Sequence, residues 1–349
     1  MFSVKRNHDG SRKKLLQQAL NFVIQHYNTD AYYKGRIIER PEIVYGYHRN
    51  HPTKGTQLLL YLKMIYTRTK GKYMKTAVYK QVMLEKAFSP PEIRAVDSFT
   101  HKLVHLILPV SGKIDEFKRF LAQFSQVCGE TKLCKLIIIL YPSQHSEETL
   151  NLIKDSQYNN LIHVLEGSGE FSRAKSLHEG VKYLSDDDLV LFIDVDIYYT
   201  AAAIHRVQQH TILGQQAYFP IVFSQYDSQI VCGAASCPVY NQSEDAGSFR
   251  YFGFGIASMY KADYLKCGGF DLSIHGWGKE DVDLYSKILK SDIDVFRAAD
   301  TDITHIYHEK VCDDSLNSDQ VVMCVNSKTS SLASQRMLAN LYYQKRSKL

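Results

Sequence analysis

The chain has 349 residues, of which 45% are hydrophobic and 23% are charged. This composition supports about two folded domains with a sizeable core, and it excludes wholesale disorder, collagen and coiled coil. The longest purely apolar stretches, Leu136–Leu140 and Leu189–Ile193, are far shorter than the about 20 residues of a membrane span. Because residues 1–10 also lack the apolar core of a signal peptide, we expect the chain to be soluble.

The formal net charge of +5 conceals a division along the chain. Residues 1–86 hold 17 basic and 5 acidic residues, a balance of +12, whereas the remainder has a balance of −7. A basic segment followed by an acidic one suggests two modules. The basic segment is suited to a polyanion such as nucleic acid, an anionic membrane or an acidic polysaccharide; the alternative is a solvated basic surface.

The first part of the chain mixes helical and extended patterns. Residues 1–30 have apolar residues at helical spacing and predict a basic helix, residues 36–47 predict an extended segment, and residues 56–66 predict a second helix. The Ser-Pro-Pro sequence at 89–91 marks a boundary near residues 90–102. We therefore predict a smaller basic α/β segment over residues 1–95 and a second domain over residues 96–349.

From residue 103 onward, apolar strands alternate with amphipathic helices. The predicted strands cover residues 103–109, 133–140, 161–165 and 188–194, and the predicted helices cover residues 114–127 and 172–184. This alternation is typical of an α/β domain with a mostly parallel sheet. In such sheets, ligands bind beyond the carboxyl ends of the strands.

The seven cysteines are too few and too scattered for a disulfide scaffold. The sequence contains no CxxC pair, which argues against a zinc ribbon. Cys312 and Cys324 bracket a polar loop, and we predict a disulfide between them. Because the number of cysteines is odd, one must be left over. The sequence also lacks GxGxxG, GxxxxGK[ST], HExxH and GxSxG, which argues against several common cofactor and catalytic sites.

Asp-x-Asp occurs five times, so the position of each pair relative to the predicted strands must show which one is functional. Asp186 and Asp188 precede the strand at 189–193 and predict a solvated turn, whereas Asp194 and Asp196 leave its carboxyl end. Two carboxylates at the end of a buried strand repel each other and lose solvation, and a divalent cation would compensate them. The alternative is a helix cap or a strand-end turn.

A second constellation lies at residues 276–281, where Gly276, Trp277 and Gly278 precede Glu280 and Asp281. An indole flanked by glycines and followed by carboxylates suits a sugar, whose apolar face stacks on the ring while the carboxylates accept its hydroxyl protons. The alternative is an acidic first turn of a helix beside a core tryptophan.

A third constellation is the histidine pair His305 and His308, which follows strand-like residues 293–304. One of these imidazoles could join the aspartates at a metal, and mixed carboxylate and imidazole ligation suits Mn²⁺. The alternative is a structural pair of histidines.

These residues stand in segments that resemble the chondroitin sulfate synthase and chondroitin N-acetylgalactosaminyltransferase family, and more distantly the β4-galactosyltransferases. The resemblance runs in order through residues 103–343 and includes FSRAKSLHEG, LVLFIDVDIYYT, FRYFGFGIASMYKADYLKCGGFD, GWGKEDVDLYSKI and HIYHEKVCD. Residues 20–88 also resemble the stretch that precedes this domain in the bifunctional synthases. The resemblance implies a GT-A glycosyltransferase fold that binds a UDP-sugar and Mn²⁺.

The resemblance also implies roles for particular residues. Asp196 and His308 would bind the metal, and Asp281 would be the catalytic base, with Glu280 gripping the donor or acceptor sugar. The residues that would contact the nucleotide-sugar are Lys113, Arg173, Asp194, Tyr251 and Trp277. Two departures from the family pattern bear on affinity and acceptor choice. Lys113 replaces an arginine and loses its bidentate fork, and Ser248-Phe249-Arg250 replaces Phe-Trp-Arg.

From the resemblance we predict a transferase that adds N-acetylgalactosamine from UDP-GalNAc to the terminal glucuronate of a chondroitin acceptor, with inversion. The alternatives are a non-catalytic partner subunit of the polymerising complex, or the same fold with another donor such as UDP-glucuronate. We expect a hetero-complex with other family members and no nucleic acid as partner.

Two short motifs disagree about location. The terminal Ser347-Lys348-Leu349 resembles a peroxisomal address, whereas Asn241-Gln242-Ser243 is a glycosylation sequon. The family works in the Golgi, so we predict the Golgi lumen, with the membrane anchor lost from this chain or supplied otherwise.

Overall fold

The computed structural model describes residues 10–39, 41–52, 55–86, 92–95, 102–233, 238, 242–274, 278–312 and 317–346. The chain divides into two compact units: residues 6–97 form the smaller unit, and residues 98–349 belong to the larger unit. Trp277, Asn241 and the terminal residues 347–349 lie outside the described residues. None of the described helices is long and apolar enough to span a membrane.

The smaller unit packs one helix on an antiparallel sheet. Its elements are α1 (Gly10–Tyr33), β1 (Arg36–Ile38), β2 (Glu42–His51), β3 (Gly55–Arg68), β4 (Lys75–Lys86) and β5 (Glu92–Ala95). Strand β3 pairs antiparallel with β1, β2 and β4, and β5 pairs with β4. Val23 of α1 is fully buried in a cluster with alternate residues of β3 and β4, which closes the core of this unit.

The predicted helix over residues 56–66 is wrong, because this segment lies within strand β3. Apolar residues follow one another here with little polar interruption, and such a short run does not distinguish a strand from a buried helix. Alternate residues of β3 are buried in the core against α1, namely Leu60, Leu62 and Met64. Tyr61, on the opposite face of the strand, is half-buried. Pairing with β2 on one side and β4 on the other makes β3 a central strand.

The larger unit begins with alternating strands and helices. Its strands are β6 (Val104–Val110), β7 (Cys134–Leu140), β8 (Ile162–Glu166), β9 (Leu189–Phe192), β10 (Ile197–Tyr199), β11 (Gln216–Tyr218), β12 (Ile221–Gln225), β13 (Gly247–Phe249), β14 (Ala257–Tyr260), β15 (Asp294–Phe296) and β16 (Ala299–His305). Its helices are α2 (Ile114–Phe124), α3 (Ser146–Lys154), α4 (Arg173–Lys182), α5 (Ala201–His210), α6 (Ser228–Val231), α7 (Lys261–Lys266), α8 (Glu280–Leu289), α9 (Ser318–Ser330) and α10 (Gln335–Arg346).

Within the described residues, the main sheet has seven strands in the order β15-β11-β14-β9-β6-β7-β8. Strands β8, β7, β6 and β9 run parallel to one another, and β14 is antiparallel to both β9 and β11. A second sheet has the order β10-β16-β12-β13. The predicted strands and helices from residue 103 onward are confirmed, although α2 ends at Phe124 and passes into a π-helical turn.

Helices cover both faces of the main sheet. Phe117 and Phe120 of α2 are buried in the core on one face, and Leu177 of α4 and Leu284 of α8 are buried in the core on the other. Gly180 allows α4 to approach β6 closely, since an added Cβ would lie 2.4 Å from a methyl group of Ile107. The layered mixed sheet and its strand order confirm the α/β class and the GT-A arrangement expected from the resemblance.

Among the described residues of the larger unit, two disulfides join pairs of cysteines whose positions are both described. The predicted bond between Cys312 and Cys324 is confirmed and joins the segment after β16 to α9. A bond between Cys128 and Cys134, which the sequence did not predict, links the end of the π-helical turn to β7. Cys267 is a free cysteine.

Candidate active site

The Asp-Val-Asp sequence occupies the turn between β9 and β10, at the carboxyl end of a central strand. The main-chain oxygen of Asp196 accepts a hydrogen bond of 2.9 Å from the N–H of Ile306. Strand β10 pairs antiparallel with β16, and Ile197 stands opposite His305. This register, together with the Ile306 hydrogen bond, brings residues far apart in sequence to the same strand end.

Asp196, His305 and His308 form a group whose potential ligand atoms all lie within 4.8 Å of one another. Nε2 of His308 is 3.1 Å from Oδ2 of Asp196, and Nε2 of His305 is 3.9 Å from Oδ1. Nζ of Lys113 lies 3.6 Å from Oδ2 of the same carboxylate. One carboxylate and two imidazoles at this spacing fit a divalent cation of the first transition series, so this is a candidate metal site.

The protonation states of Asp196 and His305 are also those that a metal ion requires of its ligands. Burial opposes ionisation of Asp196, but the imidazoles of His305 and His308 and the ammonium of Lys113 outweigh it and hold the pKa of Asp196 below its ordinary value. Burial lowers the pKa of His305 to about 3, so this imidazole is neutral at physiological pH. An ionised carboxylate and a neutral imidazole both offer a lone pair to a cation.

Arg173 links the metal turn to the acidic helix α8. The residue opens α4, where the side chain of Ser172 caps the helix. Its guanidinium donates hydrogen bonds of 2.7 and 3.2 Å to the two carboxylate oxygens of Asp194 and one of 2.8 Å to the main-chain oxygen of Gly255. Its Nη1 lies 3.6 Å from Oε1 of Glu280. The arginine therefore fixes Asp194 and Glu280 at one site.

Glu280 and Asp281 begin α8 and differ in their surroundings. Glu280 is buried, and its Oε2 has no hydrogen-bond partner within the described part of the chain. Burial raises the pKa of Glu280, with Asp281 and Asp194 adding to the effect and Arg173 opposing it. Asp281 is half-buried and accepts a hydrogen bond of 3.1 Å from the main-chain N–H of Phe254.

The loop of residues 250–255 borders this site and is held by Arg297. The Arg297 guanidinium donates hydrogen bonds of 2.7 and 3.0 Å to the main-chain oxygens of Tyr251 and Gly253. It also lies 4.5 Å from the ring centroid of Phe254, which stacks on Tyr285 at 4.0 Å. Tyr251 in this loop is 58% exposed.

The structure thus gathers most of the residues that the sequence singled out. One chain of contacts joins Lys113, Asp196 and His308, and a second joins Asp194, Arg173 and Glu280. Asp281 adjoins the second group along α8, and Tyr251 lies in the loop whose Phe254 contacts Asp281. Trp277 lies outside the described residues, so its predicted place is not assigned.

The other Asp-x-Asp pairs differ from Asp194 and Asp196. Asp300 and Asp302 both bind the guanidinium of Arg206 in a buried network. Asp188 accepts a hydrogen bond of 2.8 Å from the main-chain N–H of Ser185, as expected for the predicted turn.

Three residues near Asp196 had no role assigned to them from the sequence. The resemblance selected His308 as the metal ligand, but the structure also brings His305 to Asp196. Two cations, Arg250 and Lys310, carry charges that interact with Asp196. Burial lowers the pKa of Lys310 to about 8, and the charge of Arg250 adds to this effect. The His-x-x-His spacing was a signal for His305, whereas neither cation stands in a motif.

The strand order and the acid–imidazole group at the strand ends define an α/β protein of GT-A type. Residues 2–338 match the sequence model described as chondroitin N-acetylgalactosaminyltransferase, and the chain belongs to that family.

Two human relatives show the extent of the match. The chain is 34% identical to chondroitin sulfate synthase 3, over 93% of this chain and 42% of that protein. It is 31% identical to chondroitin sulfate N-acetylgalactosaminyltransferase 1, over 87% of this chain and 58% of that protein. The chain therefore spans about half the length of these relatives.

Similar solved structures have low sequence identity. The catalytic domain of Drosophila β1,4-galactosyltransferase 7 in complex with xylobiose is 13% identical, with a TM-score of 0.41 over 64% of this chain and 79% of that one. A mannosyltransferase from Pyrobaculum calidifontis in complex with GDP-Man and Mn²⁺ is 11% identical, with a TM-score of 0.45 over 60% of this chain and 58% of that one.

Proposed function

We propose that this chain is an inverting hexosyltransferase that moves N-acetylgalactosamine from UDP-GalNAc to the terminal glucuronate of chondroitin, in β-1,4 linkage. The observation that supports this most strongly is the group of Asp196, His305 and His308 beside the ion-bridged carboxylate Glu280 and its neighbour Asp281, in a chain of this family. The identities of the donor and the acceptor are inferred from the family. The roles of the metal group and of the acidic residues are inferred from the geometry of the site.

The donor would bind at the carboxyl ends of the parallel strands. Mn²⁺ held by Asp196, His305 and His308 would supply positive charge to the diphosphate of the leaving group. Lys113 stands at the first turn of α2 and would bring an ammonium to the same phosphates. Arg173 holds the Asp194 carboxylate in one orientation toward the sugar nucleotide. Tyr251 borders the donor sugar.

Asp281 would act as the general base. It takes the proton from the acceptor hydroxyl as that oxygen attacks the anomeric carbon, on the face opposite the departing UDP. Glu280 would grip the sugar beside it. One base and no covalent intermediate give inversion at the anomeric carbon.

Acceptor binding outside the active site, the cellular compartment and the partners of the chain are also proposals. The basic residues 1–95 would help to hold the polyanionic acceptor. We further propose that the chain works in the Golgi lumen, with other members of the family as partners. The disulfides Cys128–Cys134 and Cys312–Cys324 support an oxidising compartment, because such bonds are rare in the cytosol.

The experiment is a donor screen with the purified chain and Mn²⁺ on a glucuronate-ended chondroitin oligosaccharide. We expect transfer from UDP-GalNAc and none from UDP-glucuronate. Transfer from UDP-glucuronate instead would contradict the proposed donor. Donor binding without transfer to any acceptor would favour a non-catalytic partner subunit.

A further inference from the structure

Two cations near the metal group, Arg250 and Lys310, take no part in the proposed transfer. Arg250 follows β13, and its main-chain N–H donates a hydrogen bond of 2.9 Å to the oxygen of Val222. Strand β13 pairs with β12, and β12 pairs with β16, which ends at His305. Lys310 comes two residues after His308. The sheet therefore places Arg250 near the end of β16, and the chain places Lys310 just after the histidine pair.

Neither cation has a carboxylate partner among the described residues. The guanidinium of Arg250 makes no hydrogen bond or ion pair there, and Nζ of Lys310 donates only to the main-chain oxygen of Ser327, at 3.3 Å. The stem of Arg250 packs against Gly253, where an added Cβ would lie 2.9 Å from Cδ. Two partly buried cations that form no ion pair among the described residues are costly, and an anionic ligand would lower that cost.

Arg250 also lies near the proposed base, because its stem packs against Gly253 and the main-chain N–H of the next residue, Phe254, donates a hydrogen bond of 3.1 Å to Asp281. Its charge interacts with the carboxylates of Asp196 and Asp281, while Lys310 interacts with Asp196 and with Arg250. An anion bound by Arg250 would therefore lie close both to the metal group and to the point where the acceptor hydroxyl loses its proton.

We propose that Arg250, with Lys310 beside it, binds the carboxylate of the terminal uronic acid of the acceptor; this inference rests on the proposed function. In a uronic acid the carboxylate is attached to C5, the neighbour of the C4 that carries the attacking hydroxyl. A cation that receives this carboxylate must therefore lie near the base, as Arg250 lies near Asp281. The planar fork of arginine matches a carboxylate in two parallel hydrogen bonds.

The diphosphate of the donor offers oxyanions of the same chemistry, so the test must separate the two sources. Two acceptors are compared: a glucuronate-ended chondroitin oligosaccharide and the same oligosaccharide with its terminal carboxylate reduced to the glucose-ended alcohol. The measured quantity is the ratio of kcat/KM for the two acceptors. The affinity for UDP-GalNAc with Mn²⁺ is measured separately by calorimetry without acceptor.

In Arg250→Gln, we expect the preference for the glucuronate-ended acceptor to fall at least tenfold, mainly through KM, with donor affinity unchanged within about twofold. Arg250→Lys should retain part of the preference. Lys310→Gln is a second variant and should also lower the preference for the glucuronate-ended acceptor. The matched control is Arg119→Gln, which removes an exposed charge on α2 and should leave the preference intact.

An unchanged preference in Arg250→Gln, or a tenfold loss of donor affinity with the preference intact, would overturn the inference in favour of the diphosphate. A wild-type chain that transfers to no glucuronate-ended acceptor would refute the proposed function instead. In that case, both oligosaccharides are titrated against the chain saturated with UDP and Mn²⁺. Equal affinities would overturn this inference, and a carboxylate preference that is lost in Arg250→Gln would support it.

Discussion

The main-chain N–H of Phe254 donates a hydrogen bond of 3.1 Å to Oδ2 of Asp281, across a large separation in sequence. The other oxygen, Oδ1, accepts a hydrogen bond of 2.8 Å from the N–H of Val282. With both oxygens anchored, the carboxylate keeps one orientation and still has lone pairs for an acceptor hydroxyl. Since Arg297 holds the loop that contains Phe254, the orientation of the proposed base depends on that arginine.

Replacing the proposed base should separate chemistry from binding. Asp281→Asn keeps the shape of the side chain and removes its capacity to take a proton, so we expect the rate of transfer to fall by about 10²–10⁴. The affinity for UDP-GalNAc should stay close to that of the wild type. Initial rates on a glucuronate-ended oligosaccharide and donor calorimetry measure the two effects.

Asp283→Asn is the control for that variant. Asp283 does not share a helix face with Asp281 and forms an ion pair of 2.7 Å with Lys287, so its change should cost far less activity. A rate in Asp281→Asn equal to that of the wild type would remove this residue from the mechanism.

Metal dependence should follow the acid–imidazole group. We expect EDTA to abolish transfer, and Mn²⁺ to restore it better than Ca²⁺ because imidazole ligands suit the transition metal. His308→Ala and His305→Ala should both weaken Mn²⁺ binding, with the larger effect for His308, since it lies nearer Asp196. Calorimetric titration with Mn²⁺ measures this without turnover.

The exposed His163, which stacks on Tyr183, supplies the control for the metal experiment. His163→Ala should leave Mn²⁺ affinity unchanged. Full activity in EDTA would exclude the metal from the reaction, and an effect of His305→Ala alone would shift the ligand assignment away from His308.

The buried network around Arg206 should matter for stability. Arg206 donates 2.8 Å and 2.6 Å hydrogen bonds to Asp300 and Asp302, and Tyr218 donates a third, of 2.9 Å, to Asp300. Arg206→Met leaves the carboxylate of Asp300 buried without its cation, so we expect a loss of about 3–5 kcal/mol in the free energy of unfolding. Urea denaturation followed by circular dichroism measures this loss.

A solvent-exposed ion pair provides the comparison. Lys102 lies 2.7 Å from Asp187 at the surface, and Lys102→Met should leave the urea midpoint nearly unchanged. Equal midpoints for Arg206→Met and the wild type would show that the buried network contributes nothing net.

Acid sensitivity should come in part from His210. Burial lowers the pKa of this histidine to about 3, with the charge of Arg206 adding to the effect. The unfolded chain takes up this proton near pH 6.5, whereas the folded chain takes it up only near pH 3. The contribution of His210 is therefore complete above pH 6.5, and stability falls as the pH drops from 6.5 towards 3.

The variant His210→Gln cannot titrate and should lose less stability on acidification. We expect the difference from the wild type to grow by about 1.4 kcal/mol for each pH unit below 6.5. Urea unfolding at several pH values between 7.5 and 5 measures it. Parallel pH curves for the two proteins would exclude His210 as a source of acid sensitivity.

The parts of the fold that could be predicted from the sequence are those determined locally. The strands over Val104–Val110 and Cys134–Leu140 are apolar runs interrupted by one polar residue each, and their burial on both faces is what such runs indicate. Strand β3 could not be assigned, because whether TQLLLYLKMIY forms a helix or a strand is decided by partner strands that the local pattern does not reveal.

The residues of the candidate site also fall into those that could be predicted from the sequence and those that could not. Asp196 was singled out because it follows a buried strand, and His308 because of a family motif. Arg250 and Lys310 carry no such signal: their nearness to Asp196 arises from the order of β12, β13 and β16. The Cys128–Cys134 bond escaped prediction because nothing in the spacing of these cysteines distinguished it from other pairings.

Helix α9 holds the segment after His308 at two points: the Cys312–Cys324 bond and the hydrogen bond from Lys310 to Ser327. A thiol reductant of the kind routinely added during purification would remove the first of them. The handling of the protein would then alter its apparent requirement for metal. Preparations made with and without reductant are expected to differ in how much Mn²⁺ they need for full turnover, even though neither cysteine is among the proposed metal ligands.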